Sequence, residues 1–489
     1  VTYMENTYFK NTNNSKKKEL SLIEAFIPIF VLVVLLFYNV FFVFGDDAIS
    51  GSNQFILLLG ASVAFAIGRK NNVSYSLIMN EIADNLKSST NALLILLMVG
   101  ALAGTWLVSG VIPTMIFYGL KILNPSYFLV ASLLICTIIS LATGSSWGTT
   151  ATIGIALVGI GESLGVSSGM TAGAVLSGAY FGDKMSPMSD TTNLAPVMAG
   201  AELFSHIRYM GITTIPTFII TLLIFMFIGM NLDVIGEPDI NDKLNAIKQT
   251  FYISPWLMIV PAIVIFLIVK KTPALVSLFT GVMVAGFVAA TAQSKILINI
   301  TGAELFNFET AYKGVIQSIT VDTFVETSNR ELNALFSTGG MKGMLGTVWL
   351  IISAMVFGGV MDAIGALSKI SKALLSLASS TFGLFASTVA SCLALNVTAS
   401  DQYLAIVVPG KMFKKAYEDK GLAPENLSRT LEDSGTVTSV LVPWNTCGAY
   451  QSGVLGVAVE DYFVYAFFNW ISPFMTLLVA GISFKIKEK

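Results

Sequence analysis

Two stretches of the sequence combine acidic, hydroxyl and amide side chains with glycine and proline, and each lies between apolar segments. The first runs from Gly178 to Asn193, and the second runs from Leu431 to Ser439 and continues to Thr446. A carboxylate buried in hydrocarbon costs at least about 2.5 kcal/mol, so it is rarely found there without a partner or a task. A helix cap or an ion pair would explain any single case, but six cases around two oxygen-rich stretches indicate a functional site. The six acidic residues inside or beside apolar runs are Asp183, Asp190, Asp362, Asp401, Glu432 and Asp433.

The side chains in these stretches suit a hard cation and a proton. Cations such as Na⁺ prefer oxygen ligands from carboxylate, hydroxyl, amide and carbonyl groups, and unwound helices expose their carbonyls. Burial and a neighbouring acid both favour the protonated form of a carboxyl group, so a proton could compete with the cation. Glu432 beside Asp433, and Asp183 with Asp190, have this arrangement. Lys184 could hold one carboxylate charged or could itself release a proton, and both alternatives remain open.

The composition indicates a membrane protein. Of 489 residues, 54% are hydrophobic and 12% are charged, and the mean hydropathy is +0.75. A water-soluble protein would carry about 25% charged residues. The net charge of −2 argues against a nucleic-acid partner, which would need a basic surface.

The sequence lacks the motifs of the common enzymes. It contains no phosphate-binding loop of the GxxxxGK[ST] type, which argues against ATP as the energy source. His206 is the only histidine, and its position beside Arg208 at the end of an apolar run predicts an interfacial residue. One such histidine cannot complete a catalytic triad, and the HExxH zinc motif is absent. The sequence therefore predicts neither an enzyme nor a bound cofactor.

Apolar runs predict the elements that position the polar stretches. A membrane span needs about 20 apolar residues, and ten runs of this kind lie near 22–44, 53–68, 90–108, 127–143, 207–230, 253–270, 273–291, 343–361, 379–395 and 456–482. The polar intervals 69–89 and 292–342 predict amphipathic helices at the interface. Lysine clusters near both ends of the chain predict cytoplasmic termini.

The order of these segments predicts two halves of opposite orientation. Polar breaks at 143–149 and 396–401 follow corresponding spans, and paired broken helices are typical of secondary transporters. A channel would need one ring of like residues and no second break. The predicted fold is all-α, a polytopic membrane protein with two inverted-topology repeats and broken or re-entrant helices. Its parts are a cytoplasmic tail (1–21), a first repeat (22–230), a linker (231–252), a second repeat (253–482) and a C-terminal tail (483–489).

Three longer strings resemble the NhaC family of sodium/proton antiporters. They are GAYFGDKMSPMSDTTNLAP from Gly178, DQYLAIVVPG from Asp401 and EDSGTVTSVLVPWNTCGAYQSG from Glu432. The resemblance implies a homodimeric antiporter in the plasma membrane that exchanges Na⁺ for H⁺ by alternating access. It implies a sodium role for Asp183, Ser186, Asp190, Thr191, Asn193, Asp401, Glu432, Asp433, Thr436 and Asn445. Residues at the edges of the predicted breaks are expected to support the site: Ser145, Ser146, Thr149, Lys184, Asn396 and Thr398.

The same family includes exchangers that couple Na⁺ to organic acids such as malate and lactate. The alternative function is therefore a sodium-coupled organic-acid or amino-acid exchanger. An anionic substrate would need a positive group, for which Lys184 and half-helix N-termini are the candidates. A cavity larger than an ion, with a basic residue facing it, would favour this alternative.

Overall fold

Helices make up nearly all of the computed structural model, which describes residues 19–44, 51–232 and 237–488. The first half contains α1 (Leu22–Tyr38, continued by a π-helical turn Asn39–Phe44), α2 (Ser52–Lys70), α3 (Tyr75–Val108), α4 (Val111–Ile122), α5 (Pro125–Thr143), α6 (Ser146–Thr149), a π-helical turn (Thr150–Gly154), α7 (Ile155–Ser163), α8 (Ser168–Met185), α9 (Asp190–Ala199) and α10 (Leu203–Met230).

The second half begins with a bent helix pair. Its elements are α11 (Glu237–Thr250), a 3₁₀ turn (Pro255–Met258), α12 (Ile259–Val269), α13 (Ala274–Ala292), α14 (Ser294–Thr301), α15 (Phe308–Thr320), β1 (Thr323–Phe324), α16 (Arg330–Leu335), β2 (Ser337–Thr338), α17 (Gly340–Gly343), α18 (Leu345–Ala363), α19 (Ala366–Ser376), α20 (Thr381–Thr398), α21 (Gln402–Asp419), α22 (Pro424–Leu431), a π-helical segment (Glu432–Thr436), a 3₁₀ turn (Ser439–Leu441), α23 (Thr446–Leu455), α24 (Val459–Phe463) and α25 (Phe467–Gly481). The strands β1 and β2 pair antiparallel, with Thr323 opposite Thr338.

Eight helices in the described part of the chain are long and apolar enough to cross a bilayer. The bent pair α11 and α12, which turns by 86°, brings the number to nine if it counts as one span. The outer faces of these helices carry large apolar side chains, such as Phe227 at 70% and Phe287 at 70% exposure. Such side chains would be unfavourable in water and suit contact with lipid, so the chain is an all-α polytopic membrane protein as predicted.

Glycines bring α5 and α8 into close contact. A β-carbon at Gly178 would lie 2.2 Å from the carbonyl oxygen of Leu133, and one at Gly182 would lie 2.6 Å from that of Thr137. Only glycine fits at these two positions, because any side chain would overlap the backbone of the neighbouring helix. Small residues that let backbones approach are the usual means of packing helices in lipid.

Three predicted elements differ in the structure. The interval 69–89 is no separate interfacial helix: α3 runs unbroken for 34 residues after the Ser74 cap, because no glycine or proline interrupts its first 25 residues. The run 456–482 divides into α24 and α25, since the turn at Tyr465 lies against Gly173 of α8. The interval 292–342 forms several short helices and a two-stranded hairpin.

The two ends of the chain differ in what the structure describes. The predicted tail 1–21 lies almost wholly outside the described residues, as does part of the predicted linker. The C-terminal segment, residues 485–488, packs against the start of α22. The Ala423 amide donates to the carbonyl of Lys487 at 2.9 Å, and the ammonium of Lys487 pairs with Glu425 at 2.5 Å. The Tyr209 hydroxyl donates to the carbonyl of Lys485 at 2.9 Å.

Candidate ion-binding site

The predicted breaks at 143–149 and 396–401 are confirmed as the ends of α5 and α20. Gly144 ends α5 in the left-handed conformation (φ +67°), and the Ser145 hydroxyl then caps α6 by accepting from the Gly148 amide at 3.0 Å. Ser400, also left-handed (φ +58°), separates α20 from α21. Asp401 caps α21 by accepting from the Leu404 amide at 2.9 Å. Both chain breaks are therefore built by local backbone and capping chemistry.

A second break follows in each half. Residues 186–189 separate α8 from α9. The side-chain amide of Asn193 stabilises this break by donating to the carbonyls of Pro187 and Ser189 at 2.9 and 2.7 Å. Residues 442–445 precede α23, and Asn445 caps this helix through the Cys447 amide at 3.0 Å. These four breaks interrupt helices that lie among the apolar spans.

The breaks meet one another in space. A β-carbon at Gly144 would lie 2.6 Å from that of Met188, so the first break lies against the second. The Thr446 amide donates to the carbonyl of Ser400 at 2.9 Å, which joins the other two. Asn445 also donates to the carbonyl of Asn396 at 3.0 Å, and Asn396 donates to the carbonyl of Gly435 at 2.8 Å.

A cavity of about 180 Å³ opens between these breaks. Three carboxylates face it, Asp183, Asp190 and Asp401, and Asp190 is exposed, so solvent reaches the cavity. The lining also includes Trp147 and Tyr450, whose rings stack at 3.9 Å between centroids. The remaining polar lining comes from Ser88, Ser89, Asn91, Ser145, Ser146, Ser189, Thr191, Gln402, Tyr403 and Thr446.

Asp183 is the most firmly held of the three acids. One carboxylate oxygen accepts from the amide and the hydroxyl of Ser146 at 3.2 and 2.7 Å. This contact joins the last turn of α8 to the first turn of α6, directly after the break in α5. In the described ranges, no three histidine, cysteine or acidic side chains converge closely enough to hold a metal ion. The three acids therefore share one cavity wall without forming a coordination shell in this conformation.

A second polar cluster lies outside the cavity. The ammonium of Lys184 forms an ion pair with Asp433, and both side chains are completely buried. Asp433 also accepts from the hydroxyls of Ser472, at 3.4 Å, and Thr476. The Lys184 ammonium donates to Ser472 at 3.3 Å and lies 5.7 Å from the ring centre of Phe468. Lys184 is therefore ion-paired with a carboxylate inside the protein and does not line the cavity.

Glu432 is also completely buried, and it does not line the cavity. Within the described part of the chain, neither carboxylate oxygen has a hydrogen-bond partner, and nor does the Thr436 hydroxyl one turn further on. Both residues belong to the π-helical segment, an insertion that is frequent at functional sites.

The predicted site residues therefore divide into three groups. Asp183, Asp190, Thr191, Asp401, Ser145 and Ser146 line the cavity. Lys184, Glu432, Asp433 and Thr436 form the buried cluster beside it. The others stabilise the breaks or lie near them: Thr149 donates to the Ser145 carbonyl, Ser186 accepts from the Met188 amide, Asn193, Asn396 and Asn445 bridge backbone groups, and Thr398 is buried without a partner among the described residues.

Several residues of the site were not predicted. Gln402 lines the cavity and accepts from the Cys447 thiol at 2.6 Å. Ser472 and Thr476, which bind Asp433, lie four residues apart on one face of α25, a spacing that could have been noticed in the sequence. His206, predicted from the sequence as an interfacial residue, has a completely buried ring that meets the Ser428 hydroxyl at 2.8 Å.

Apolar spans that surround broken helices and an acid-lined, solvent-accessible cavity define a multi-pass membrane transporter. Comparison with known proteins agrees: the Na⁺/H⁺ antiporter family matches residues 178–482. The chain is 39% identical over 416 residues to the Na⁺/H⁺ antiporter NhaC of Alkalihalophilus pseudofirmus. The matched region covers 85% of this chain and 87% of the relative. It is 36% identical over 424 residues to the malate-2H⁺/Na⁺-lactate antiporter of Bacillus subtilis, with 86% of each chain covered.

A third relative is the arginine/ornithine antiporter ArcD of Halobacterium salinarum, 31% identical over 471 residues, with 95% of this chain and 93% of the relative covered. The chain therefore belongs to the Na⁺/H⁺ antiporter family. It is an antiporter and not an enzyme.

Proposed function

We propose that this protein exchanges Na⁺ for H⁺ across the plasma membrane by alternating access at the cavity between the four helix breaks. The observation that carries the proposal is the negative charge of the residues that line the cavity. Asp183, Asp190 and Asp401 face it, and no lysine or arginine is found among its described lining residues. An acidic cavity among apolar spans attracts cations and raises the local concentration of both Na⁺ and protons.

The ligands available for Na⁺ are oxygens of several kinds. Asp183 and the Ser146 hydroxyl lie 2.7 Å apart, and the end of α5 at Gly144 faces the same cavity. The C-terminus of a helix carries partial negative charge and free carbonyls, both of which favour a cation. A coordination shell would form if the acids moved toward Asp183, with water and carbonyl groups as the remaining ligands.

The pairing of the breaks supports alternating access. We propose that 22–230 and 253–482 are inverted repeats, joined by the linker 231–252 and flanked by the tails 1–21 and 483–489. Each half has two broken helices that meet at the cavity. Ile268 and Ala274 line the cavity and flank Lys270 and Lys271, which the positive-inside rule assigns to the cytoplasm. On this assignment both termini are cytoplasmic and the cavity faces inward.

Proton flux in proteoliposomes tests the proposal. An imposed Na⁺ gradient should move protons without any organic acid present, and Asp183→Asn should reduce this flux by at least about tenfold. Asp419→Asn, an exposed aspartate at the end of α21, is the matched control and should behave as the wild type. Flux that requires malate, lactate or arginine would instead support the organic-substrate alternative, and unchanged flux in Asp183→Asn would exclude this carboxylate from the site.

One observation keeps a second candidate function open. The cavity of about 180 Å³ has room for on the order of ten water molecules, which is far more than one Na⁺ needs. Lys184, the residue expected to bind an anion, is buried against Asp433 and does not line the cavity. If an organic substrate is carried, this lining favours one with a positive charge over a dicarboxylate. Substrate-driven Na⁺ or proton flux with arginine, ornithine or malate distinguishes the cases.

The resemblance to the sodium/proton antiporters also suggested a homodimer. We retain it as a proposal, which crosslinking in the membrane would test. If the monomer alone exchanged Na⁺ for H⁺ at the full rate, the homodimer would not be needed for function and this proposal would be refuted.

A further inference from the structure

We propose that Lys243 is a latch that closes the outer side of the protein and thereby sets the balance between the inward-facing and outward-facing conformations. The inference rests on the proposed alternating access, in which the cavity of this conformation faces the cytoplasm. Lys243 acts through the helices that it joins, so it is a positioning residue and not a ligand of the transported ions.

Lys243 is a buried cation on α11. Its side chain is only 2% exposed, and its ammonium pairs with the carboxylate of Glu331 at 2.8 Å. The ammonium also donates to the carbonyl oxygen of Ser163 at 3.0 Å. Ser163 is the last residue of α7, and the end of a helix leaves carbonyls unsatisfied and carries partial negative charge. Both contacts therefore suit a cation that is shielded from water.

The two partners of this ammonium belong to different halves of the chain. Ser163 ends a helix of the first half, Glu331 lies in α16 of the second half, and Lys243 lies in the segment that joins them. An apolar contact reinforces the junction, because Phe251 after α11 and Phe336 after α16 are both buried, with 5.0 Å between their ring centres. One ammonium therefore fastens the two halves to each other.

The junction lies at the end of the molecule opposite the cytoplasmic lysines. The helix α12 ends at Val269, next to Lys270 and Lys271, which mark the cytoplasmic side in the proposed orientation. At its other end the chain bends by 86° into α11, which therefore lies across the direction of α12. Lys243 is thus on the outer side, away from the end at which the cavity opens.

A helical rod connects the latch to the ion-binding cavity. The helix α6, the π-helical turn and α7 follow one another without a gap from Ser146 to Ser163, a length of about 27 Å at 1.5 Å per residue. The first residue of the rod donates to Asp183 at the cavity, and the last residue accepts from Lys243. The cavity and the latch are therefore the two ends of one rod.

Opening of the outer side must break the latch. The outer ends of the two halves separate in the outward-facing conformation, so Lys243 must leave Ser163 or Glu331 and become hydrated. Contacts that exist in only one of two conformations favour that conformation, so the latch favours the inward-facing one. Removing the ammonium should therefore raise the outward-facing fraction without changing the cavity itself.

Distances between two spin labels test the latch directly. Cysteines introduced at Ser167, just after α7, and at Ala334 on α16 are exposed, whereas the three native cysteines are buried and shielded from the label. In purified protein in lipid nanodiscs, Lys243→Met should raise the fraction of molecules with a long distance between the labels by at least about threefold. Lys248→Met, which changes an exposed lysine of the same helix, is the matched control and should leave this fraction unchanged.

Proton flux in oriented vesicles provides a readout that a merely structural role would not move. In Lys243→Met, the half-saturating Na⁺ concentration should fall at the outer side and rise at the inner side, because apparent affinity scales with the fraction of molecules open to that side. Loss of folded protein alone would lower the rate and leave both concentrations unchanged. Glu331→Gln removes one of the two partners and should produce smaller shifts in the same directions, and it carries the test if Lys243→Met yields no folded protein.

The outcomes distinguish this inference from the proposed function. Equal distance distributions in Lys243→Met and the wild type would refute the latch, whatever the protein transports. Half-saturating concentrations that stay the same on both sides would refute its control of access to the cavity. A wild type without Na⁺-driven proton flux would refute the proposed exchange, and the spin-label distances would still decide whether Lys243 holds the outer side closed.

Discussion

Replacing Lys184 by methionine tests the energetic role of the ion pair with Asp433. Methionine keeps an unbranched apolar chain and removes only the charged end. Both partners are completely buried, and removing one partner of a buried pair costs about 3–5 kcal/mol. Asp433 keeps two hydroxyl donors, Ser472 and Thr476, so we expect the lower end, about 3 kcal/mol in the free energy of unfolding.

A double-mutant cycle in detergent micelles gives the measurement. Asp433→Asn should cost a similar amount, because Lys184 is left with Ser472 and the ring of Phe468. The double variant should lose about 3 kcal/mol less than the sum of the single losses, since no unpaired charge remains.

The chain offers a matched control in Lys342. It pairs with Asp322 at 2.8 Å, but the side chains are 60% and 69% exposed. Lys342→Met should cost less than about 1 kcal/mol, as exposed pairs do. A loss below about 1 kcal/mol for Lys184→Met, or additive losses in the cycle, would refute the reasoning.

Three further predictions concern the breaks and the C-terminal segment. Asn can replace Asp401 as the cap of α21, whereas Asp401→Ala removes the cap and should lower the free energy of unfolding by about 1 kcal/mol. Both should lose Na⁺-driven proton flux, and normal flux in the Asn variant would reduce Asp401 to a cap. Gly144→Ala should lower the thermal stability and the flux, because the left-handed backbone and the contact with Met188 exclude a β-carbon; wild-type melting would contradict this close approach. Burial alone would raise the pKa of Glu425, but hydrogen bonds from Lys487 and Ser205 outweigh it, so the pKa lies below its ordinary value of 4.5. The ionised Glu425 therefore stabilises the packing of the C-terminal segment fully above pH 4.5, and this stabilisation is lost as the pH falls through the lowered pKa. Glu425→Gln at neutral pH should speed trypsin cleavage at Lys487, with Glu418→Gln as the control, and equal cleavage rates would show that other contacts hold the segment.

The sequence predicted the spans and the breaks because their causes are local. Apolar runs of span length must meet lipid, and Gly144, Ser145 and Asp401 end or start helices through backbone conformation and capping. The sequence could not predict which acids share the cavity. Lys184 meets Asp433 across 249 positions of the chain, and no local pattern carries information of that kind.

The difference between Glu432 and Asp433 shows the same limit at shorter range. They are neighbours of similar chemistry, yet one is paired and the other is not. Their environments depend on where the π-helical segment turns each side chain and on what α8 and α25 present there. For His206 the charged neighbour Arg208 suggested an interface, but the side of α10 on which the ring lies is set by packing against α22.

The glycine contacts between α5 and α8 have a consequence for how the molecule can move. Backbones that touch at Gly178 and Gly182 have no side-chain layer between them to deform, so the two helices cannot slide or separate without losing the contact along much of their length. The helices α5 and α8 therefore move as one rigid unit. Under the proposed alternating access, the opposite side would open at surfaces where side chains meet, such as the stacked rings of Trp147 and Tyr450, which can separate without breaking a backbone contact.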